Sequence, residues 1–156
     1  MTLTSVQSLA VAVLVGLLAG THTAIWGMYK DAVHEGFAIR RFARSMVIGT
    51  GVAVLIQSVR HLALPAVGAF VVLFGLSYAT ERGIVEVWKT FLREEDQSKY
   101  FIPMQFSVRG VPVASRAARM AIGAAYVAAI AGCLVAIARL DLGATLPPQP
   151  RAALAG

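Results

Sequence analysis

The chain has 156 residues, of which 58% are hydrophobic and only 14% charged, and its formal net charge is +6. Soluble domains are about half apolar and about a quarter charged, so a soluble core this rich would need a larger polar shell than the chain can supply. In a membrane protein the positive charge indicates topology and contact with anionic lipid headgroups, and not a nucleic-acid partner. The single cysteine, Cys133, excludes an intrachain disulfide bond and a CxxC site.

Four apolar blocks separated by polar segments predict four transmembrane helices, because about 20 apolar residues span the hydrocarbon of a bilayer. The predicted helices cover about residues 5–28, 42–59, 64–93 and 116–140. The predicted fold class is therefore an all-α integral membrane protein, with a single domain over residues 1–140 and a long cytoplasmic loop between helices three and four. The tail 141–156 is rich in Pro and Ala and is predicted to be disordered.

The sequence also indicates whether the first helix is retained and how far the third helix extends. The chain opens without basic residues and its first apolar block is longer than a signal-peptide core, which predicts a retained transmembrane helix. Helix three is predicted to project from the membrane to about Arg93, because good helix formers with paired charges follow Gly83. In the loop that follows, Arg109 and Gly110 are a turn signal and predict a short hairpin.

Small residues at helical spacing predict close helix packing in two places. Gly16 and Gly20 form a GxxxG pair in helix one, and Ala124, Ala128 and Gly132 recur every fourth residue in helix four. Residues of this size let another helix approach closely. The sequence therefore predicts a protein partner or a homo-oligomer that uses these Gly/Ala faces.

The basic residues predict the orientation in the membrane. The segments 30–44 and 82–119 carry four and seven Lys and Arg residues, eleven of the fourteen in the chain. With four spans these two segments lie on the same side of the membrane. The positive-inside rule predicts that this side is cytoplasmic, and that both termini lie on the non-cytoplasmic side of the cell (inner) membrane.

Ionisable side chains gather near the predicted cytoplasmic ends of helices one and three. The candidate catalytic residues are His22, Lys30, Asp31, His34, Glu35 and Glu81. Asp31, His34 and Glu35 share one helical face, as the ligands of carboxylate metal sites do. Such sites need several helices, however, and a solvated turn with local ion pairs is the simpler interpretation.

The histidine of helix one is unusual because the rest of that block has no ionisable group. His22 lies about one turn inside Trp26, where a packing role is the simpler interpretation. A lone ionisable group near this depth costs a few kcal/mol unless it is paired. We therefore predict that His22 or Lys30 lies within reach of Glu81, in a polar pocket that admits a lipid headgroup.

Arginines stand at the predicted entries to the helices. The predicted lipid-headgroup residues are Arg40, Arg41, Arg44, Arg82, Arg116 and Arg119. The planar guanidinium matches the geometry of a phosphate group. Ordinary positive-inside anchoring explains any one of these residues, but together they predict contact with anionic lipid.

Two functional hypotheses follow. The favoured one is a non-enzymatic accessory or scaffold subunit that binds a partner and anionic lipid at the cytoplasmic face. It is favoured because the sequence contains no phosphate-loop, dinucleotide-binding, HExxH or GxSxG motif and identifies no cofactor. The alternative is a lipid-active enzyme or binder with a cytoplasm-facing His/Asp/Glu/Arg site for a phosphorylated headgroup. No acidic residue lies within a predicted apolar block, which argues against an ion pathway.

Overall fold

The computed structural model describes residues 4–64 and 66–139, and within them four helices are long and apolar enough to cross a membrane. The elements are α1 Ser5–Glu35, α2 Ile39–Arg60, α3 Val67–Val87, a π-helical turn Trp88–Leu92, a 3-10 turn Gln97–Lys99, strands β1 Ser107–Val108 and β2 Val111–Pro112, and α4 Arg116–Arg139. This confirms the prediction of a mostly helical chain with four helices long and apolar enough to span a membrane. The predicted disordered tail 141–156 lies outside the described residues.

The first helix is longer than predicted. It begins at a capping box in which Thr4 and Gln7 bond to each other's backbone N–H, and it ends at Gly36, whose φ is 65°. Its 31 residues extend about 46 Å at 1.5 Å per residue, whereas the hydrocarbon core is about 30 Å thick. Residues 29–35 contain no Gly or Pro and continue the helix past its predicted end near residue 28. Only residues 36–38 therefore connect α1 to α2.

Close packing of α1 against α2 depends on three glycines. A Cβ atom on Gly16 would lie 2.5 Å from the Cα of Thr50, and one on Gly20 would lie 2.6 Å from the Cα of Met46. From the other side, a Cβ on Gly49 would lie 2.8 Å from the Gly16 carbonyl oxygen. Carbon atoms rest at about 3.5–4.0 Å from their neighbours, so a side chain at these positions would force the helices apart. The GxxxG face of α1 is thus occupied by α2 and is not open to a partner.

A three-helix core forms where α1, α2 and α3 meet. Its hydrophobic centre consists of Ala12, Val15, Ala53, Leu64 and Leu73. Along α3 the buried residues follow four-residue spacing, as Leu73, Ser77, Glu81 and Val85. The inward face of α3 is thus apolar near its start and acquires a hydroxyl and a carboxylate towards its end, so the core becomes polar towards one end of the bundle.

The fourth helix contacts this core mainly through the π-helical turn. Gly123 packs against the Phe91 ring, where an added Cβ would lie 2.7 Å from a ring carbon. Phe91 also contacts Tyr126, with 6.0 Å between the ring centroids. Only 6% of the most apolar window of α4 is buried, against 39% for α1. Most of α4 therefore faces lipid or another protein.

The segment 93–115 between the third and fourth helices folds back on the end of the bundle. The Gln97 side chain accepts two backbone N–H bonds, and the Gln105 side chain donates to the Arg93 carbonyl at 2.7 Å. The predicted turn at Arg109–Gly110 joins β1 to β2, with φ values of 50° and 81°, as a two-residue hairpin turn requires. The predicted long loop between helices three and four is therefore not evident, because the chain forms an ordered connector that contains the predicted hairpin.

Candidate functional site

A small polar cavity lies between α1, α2 and the end of the third helix. Its volume is about 30 Å³, which is enough for one or two water molecules at ~10–15 Å³ each. The polar and charged residues that line it are Thr23, Asp31, Arg41, Arg44, Ser45, Arg82, Lys89 and Arg93. Among these described lining residues five are cationic and one is acidic, so the cavity is electropositive.

Helical spacing brings these charges together. Arg41 and Arg44 are three residues apart and share one face of α2. The third helix runs unbroken from α3 through the π-helical turn to Leu92, so the helix continues as predicted, and its projection from the membrane stays a prediction. The helix brings Arg82 and Lys89, seven residues apart, to the same cavity. Single π-helical turns inside helices occur frequently at functional sites.

An ion pair joins α1 to the π-helical turn. The Nζ of Lys89 lies 2.7 Å from an Asp31 carboxylate oxygen, and the two side chains are only 11% and 12% exposed. Removing one member of such a pair leaves a nearly buried charge without compensation. Asp31, a candidate for catalysis or metal binding, therefore lines the cavity with its carboxylate already bound to a lysine.

Trp88 holds two of the cavity arginines. The guanidinium carbons of Arg44 and Arg93 lie 4.8 Å and 5.5 Å from the centre of a Trp88 ring. Such stacking stabilises a cation by about 0.5–2 kcal/mol, but the two like charges repel each other. The Nε of Arg44 is buried and donates no hydrogen bond to any described residue. An anion beside this arginine pair would reduce the repulsion and accept from an unused donor.

Glu81 is fully buried and lies close enough to Arg44 for its charge to act on the guanidinium. Neither carboxylate oxygen accepts a hydrogen bond from any residue in the described part of the chain. The residue lies two positions beyond Ala79, where the apolar run of the third helix ends. A buried ionisable group without a hydrogen-bond partner is expensive and is a candidate for function.

The predicted pairing of Glu81 with His22 or Lys30 is wrong. The His22 ring instead contacts aromatic residues of α3, with centroid distances of 5.5 Å to Tyr78 and 6.5 Å to Phe74. Lys30 is exposed. The physical reason is that His22 meets the half-buried aromatic side of α3, whereas Glu81 belongs to its fully buried face. The packing interpretation of His22 agrees with these contacts.

The candidate metal ligands lie in different surroundings. His34 is exposed and packs edge-on against the Tyr100 ring at 5.6 Å, whereas Asp31 is held by Lys89. The side chain of Glu35 lies outside the described part of the structure. Among the described residues no group of three potential ligands comes together.

The predicted lipid-headgroup arginines divide into two sets. Arg41, Arg44 and Arg82 line the cavity, and Arg82 also bonds to Glu86 one turn further along α3, at 2.7 Å. Arg40 is exposed and is not among the described lining residues. The remaining two lie at the start of α4, away from the cavity.

At the start of α4 the two arginines differ in exposure. Arg116 is 64% exposed and lies 3.7 Å from Glu94. Arg119 is 2% exposed; it donates to the Val113 and Ala114 carbonyl oxygens at 2.6 Å and 3.1 Å and binds Glu94. Arg119 thus fastens the connector to α4, and the expectation that it binds a headgroup is wrong because its guanidinium is already enclosed.

Sequence reasoning missed five residues of this site: the hydroxyl residues Thr23 and Ser45, the cations Lys89 and Arg93, and Trp88. Lys89 and Arg93 were included only in the projecting end of helix three and in the charge count. The available signal was spacing, because Lys89 follows Arg82 by seven residues and must share its side of a helix. The role of Trp88 as a platform for two arginines had no signal in the sequence, since Arg44 comes from another helix.

An apolar groove adjoins the cavity. Its volume is about 300 Å³, and it is lined by Arg44, Ile48, Ile84, Val85 and Trp88. Arg44 and Val85 also line the polar cavity, so the two spaces share a wall. A groove of this size is at the lower end of the range for small-molecule sites. The arrangement joins a cationic space to an apolar one.

The connector next to the cavity is fixed by a carboxylate. Glu95 binds both Arg93 and Lys99. Burial alone would raise the pKa of Glu95, but the Lys99 hydrogen bond and the Arg93 charge outweigh it and lower the pKa. Burial, together with a hydrogen bond to Glu95, raises the pKa of Tyr100. Arg93 is thus tied both to the connector and to the cavity.

No known family model matches the chain, and no curated protein or solved structure is significantly similar to it.

Proposed function

We propose that this protein is a non-enzymatic membrane accessory or scaffold subunit that binds an anionic phospholipid at the charged end of its helix bundle. The observation that carries the proposal is the junction of the cationic cavity with the apolar groove at Arg44 and Val85. A phospholipid has the same two parts, a phosphate and an acyl chain. The cavity has room for little more than a water molecule, so the phosphate would lie where the two spaces meet, against Arg44. The first part of an acyl chain would follow the groove.

Charge complementarity favours this ligand over a zwitterionic lipid. Five cations line the cavity, and the carboxylates of Asp31, Glu86 and Glu95 each bind one of them, so the cations exceed these carboxylates by two charges. Hydrogen bonds between an ionised donor and an ionised acceptor each contribute about 1.5–3 kcal/mol, and a guanidinium can make two of them to one phosphate. At the proposed position next to the membrane surface, the cations of the site also attract anionic headgroups over a longer range.

The affinity for lipid tests the proposal at Arg44. The purified protein is titrated in neutral nanodiscs with phosphatidic acid, and bound lipid is counted by native mass spectrometry. Arg44→Gln is expected to weaken binding about tenfold or more, corresponding to the loss of one charge-assisted hydrogen bond. Arg40→Gln is the matched control, because Arg40 stands one turn earlier on α2 and is exposed. Equal affinities of the two variants would contradict the proposal.

The proposed orientation places the cavity and the connector in the cytoplasmic leaflet of the cell membrane, with both termini outside. The support is the positive charge gathered at this end of the bundle. In a Cys133→Ala background, Ser98→Cys should react with an impermeant maleimide only after the cells are permeabilised. Ala63→Cys, at the other end of α2, should react in intact cells. The opposite labelling pattern would reverse the orientation.

The accessory role is proposed to use α4 as the surface for a second copy of the chain. Tyr126 and Ile130 line the cleft towards α3, and Ala128, two residues from each, lies on the other side of the helix. In a Cys133→Ala background, Ala128→Cys should give a disulfide-linked dimer in membranes, whereas Ile130→Cys should not. A dimer from both variants, or from neither, would count against this surface.

The lipid-active enzyme remains the alternative. It differs from the proposal in one measurable respect, because an enzyme changes the bound lipid. Recovery of intact phosphatidic acid after prolonged incubation with the protein in membranes supports binding, and a new headgroup product supports the enzyme.

A further inference from the structure

We propose that the bound lipid has two acyl chains, and that its second chain lies in a cleft between the third helix and α4. The inference rests on the proposed function, because it concerns another part of the same ligand. It begins from the size of this cleft, about 830 Å³, against about 300 Å³ for the groove that takes the first chain. The groove and the cleft meet along Ile84 and Trp88, which line both of them.

A ridge of two side chains separates the groove from the cleft. Ile84 and Trp88 are four residues apart and therefore share one side of the third helix, and both are exposed. On one side of this ridge lies the groove, whose other wall is α2 at Ile48. On the other side lies the cleft, whose other wall is α4 at Tyr126 and Ile130. A ligand at the ridge can therefore enter both spaces.

The cleft forms because α4 contacts the rest of the bundle mainly at the π-helical turn. This contact is the packing of Gly123 and Tyr126 on the Phe91 ring. The cleft continues from there along the third helix as far as Thr80, which is about 16 Å at 1.5 Å per residue. Both helices are long and apolar enough to cross a membrane, so we expect lipid chains to enter the space between them.

The lining of the cleft suits a hydrocarbon chain. Most of its described lining residues are apolar, and the one carboxylate among them, Glu86, already binds Arg82 at 2.7 Å. The surface proposed for a second copy of the chain does not overlap with it. Ala128 is two residues from both Tyr126 and Ile130, which places it on the other side of α4.

The position of the phosphate connects the two chains. Arg44, against which the phosphate lies, stacks on Trp88, with 4.8 Å between the guanidinium carbon and the ring centre. The phosphate is therefore beside the ridge, and the two chains of one glycerol backbone can pass on either side of it. From Trp88 both spaces extend back along the third helix, the groove to Ile84 and the cleft to Thr80. The two chains thus run in the same direction, as they do in a bilayer.

The test locates the second chain, because affinity alone would not reveal it. The surrounding lipid is as apolar as the cleft, so entry of a chain gains no hydrophobic free energy. A phosphatidic acid with a photoreactive diazirine in each acyl chain is therefore added to the protein in nanodiscs of neutral lipid. After irradiation and proteolysis, mass spectrometry should find one lipid joined both to an α2 peptide that contains Ile48 and to an α4 peptide that contains residues 126–130. The same probe with a choline headgroup should give much less of this bridged product.

Two glycines of α3 provide matched variants. At both Gly83 and Gly75 an added Cβ meets no atom within 4 Å, but only Gly83 is among the residues that line the cleft. In Gly83→Phe the new ring enters the cleft, so the bridged product should be lost while the labelling of α2 remains. Gly75→Phe should give the bridged product as the wild type does. Thr80→Phe, which alters another lining residue, serves in place of Gly83→Phe if that variant does not fold.

The inference and the proposed function fail in different ways in this experiment. If the labelling of α2 depends on Arg44 but no bridge to α4 forms, or the bridge survives in Gly83→Phe, the anionic-lipid site stands and the second-chain site is refuted. Labelling of α4 that is unchanged in Arg44→Gln would assign the cleft to bulk lipid and would also refute the inference. If Arg44→Gln leaves the labelling of α2 unchanged, the proposed function itself is refuted.

Discussion

Adding a single methyl group at Gly16 should separate the two most closely packed helices. In Gly16→Ala the new Cβ would lie 2.5 Å from the Thr50 Cα, 2.7 Å from the Gly49 carbonyl oxygen and 2.8 Å from the Ala53 Cβ. Two of these neighbours are backbone atoms, which move only if a helix moves. Normal contact is at about 3.5–4.0 Å, so α1 and α2 must part by about 1 Å. Overpacking of this kind destabilises a protein by about 1–3 kcal/mol.

The matched control is Gly27→Ala in the same helix, where the added Cβ meets no atom within 4 Å. Both variants gain the helix propensity of Ala over Gly, up to about 1 kcal/mol, so this gain cancels in the comparison. The free energies of unfolding of the two variants, measured by denaturant titration in mixed micelles, should therefore differ by about 1–3 kcal/mol. A Gly16→Ala variant as stable as Gly27→Ala would refute the close packing of α1 on α2.

Three other predictions concern ionic contacts. A double-mutant cycle with Asp31→Asn and Lys89→Gln should give a coupling free energy of unfolding of about 1 kcal/mol or more, and additive effects would show that the pair is not formed. Arg119→Met should lower the unfolding free energy by about 1–3 kcal/mol, because two carbonyl oxygens lose their hydrogen-bond donor. The exposed control Arg116→Met should change it by less than about 0.5 kcal/mol. Equal effects of the two variants would contradict the buried contacts of Arg119. The pKa of Glu95 is lowered in the folded state, so its ionised carboxylate stabilises the fold above the unfolded Glu pKa of about 4.3. This contribution is lost as the pH falls through the folded-state pKa. The loss of unfolding free energy caused by Glu95→Gln at pH 7 should therefore become smaller in acid. A deficit that is independent of pH would refute this assignment.

The sequence carried enough information for the parts of the fold that depend on local pattern. Four apolar blocks identified the four helices, and the helix formers after Gly83 identified the extension of helix three. The Arg109–Gly110 dipeptide identified a two-residue turn, because both positions require positive φ. Each of these inferences depends on residues close together in the chain. They therefore needed no knowledge of how the helices pack.

The site could not be predicted in this way, because its contacts are long-range and depend on how the helices pack. Asp31 and Lys89 are 58 residues apart, so no local pattern predicts their ion pair. Arg119 looks in sequence like any arginine at a membrane entry, since the connector that encloses it must first fold back on α4. The complete burial of Glu81 had no signal in the sequence, because hydropathy is averaged around the helix, whereas burial depends on which face turns inward.

The most direct test of the account is the identity of the lipid in the groove in native membranes. A photo-crosslinking amino acid at Ile48, which lines the groove, is compared with one at Val47, which is 70% exposed on the same helix. After irradiation, mass spectrometry of the Ile48 adduct should show enrichment of anionic phospholipid over the bulk membrane, and Arg44→Gln should abolish that enrichment. The Val47 adducts should match bulk composition. Bulk composition at both positions, unchanged by Arg44→Gln, would contradict the anionic-lipid site.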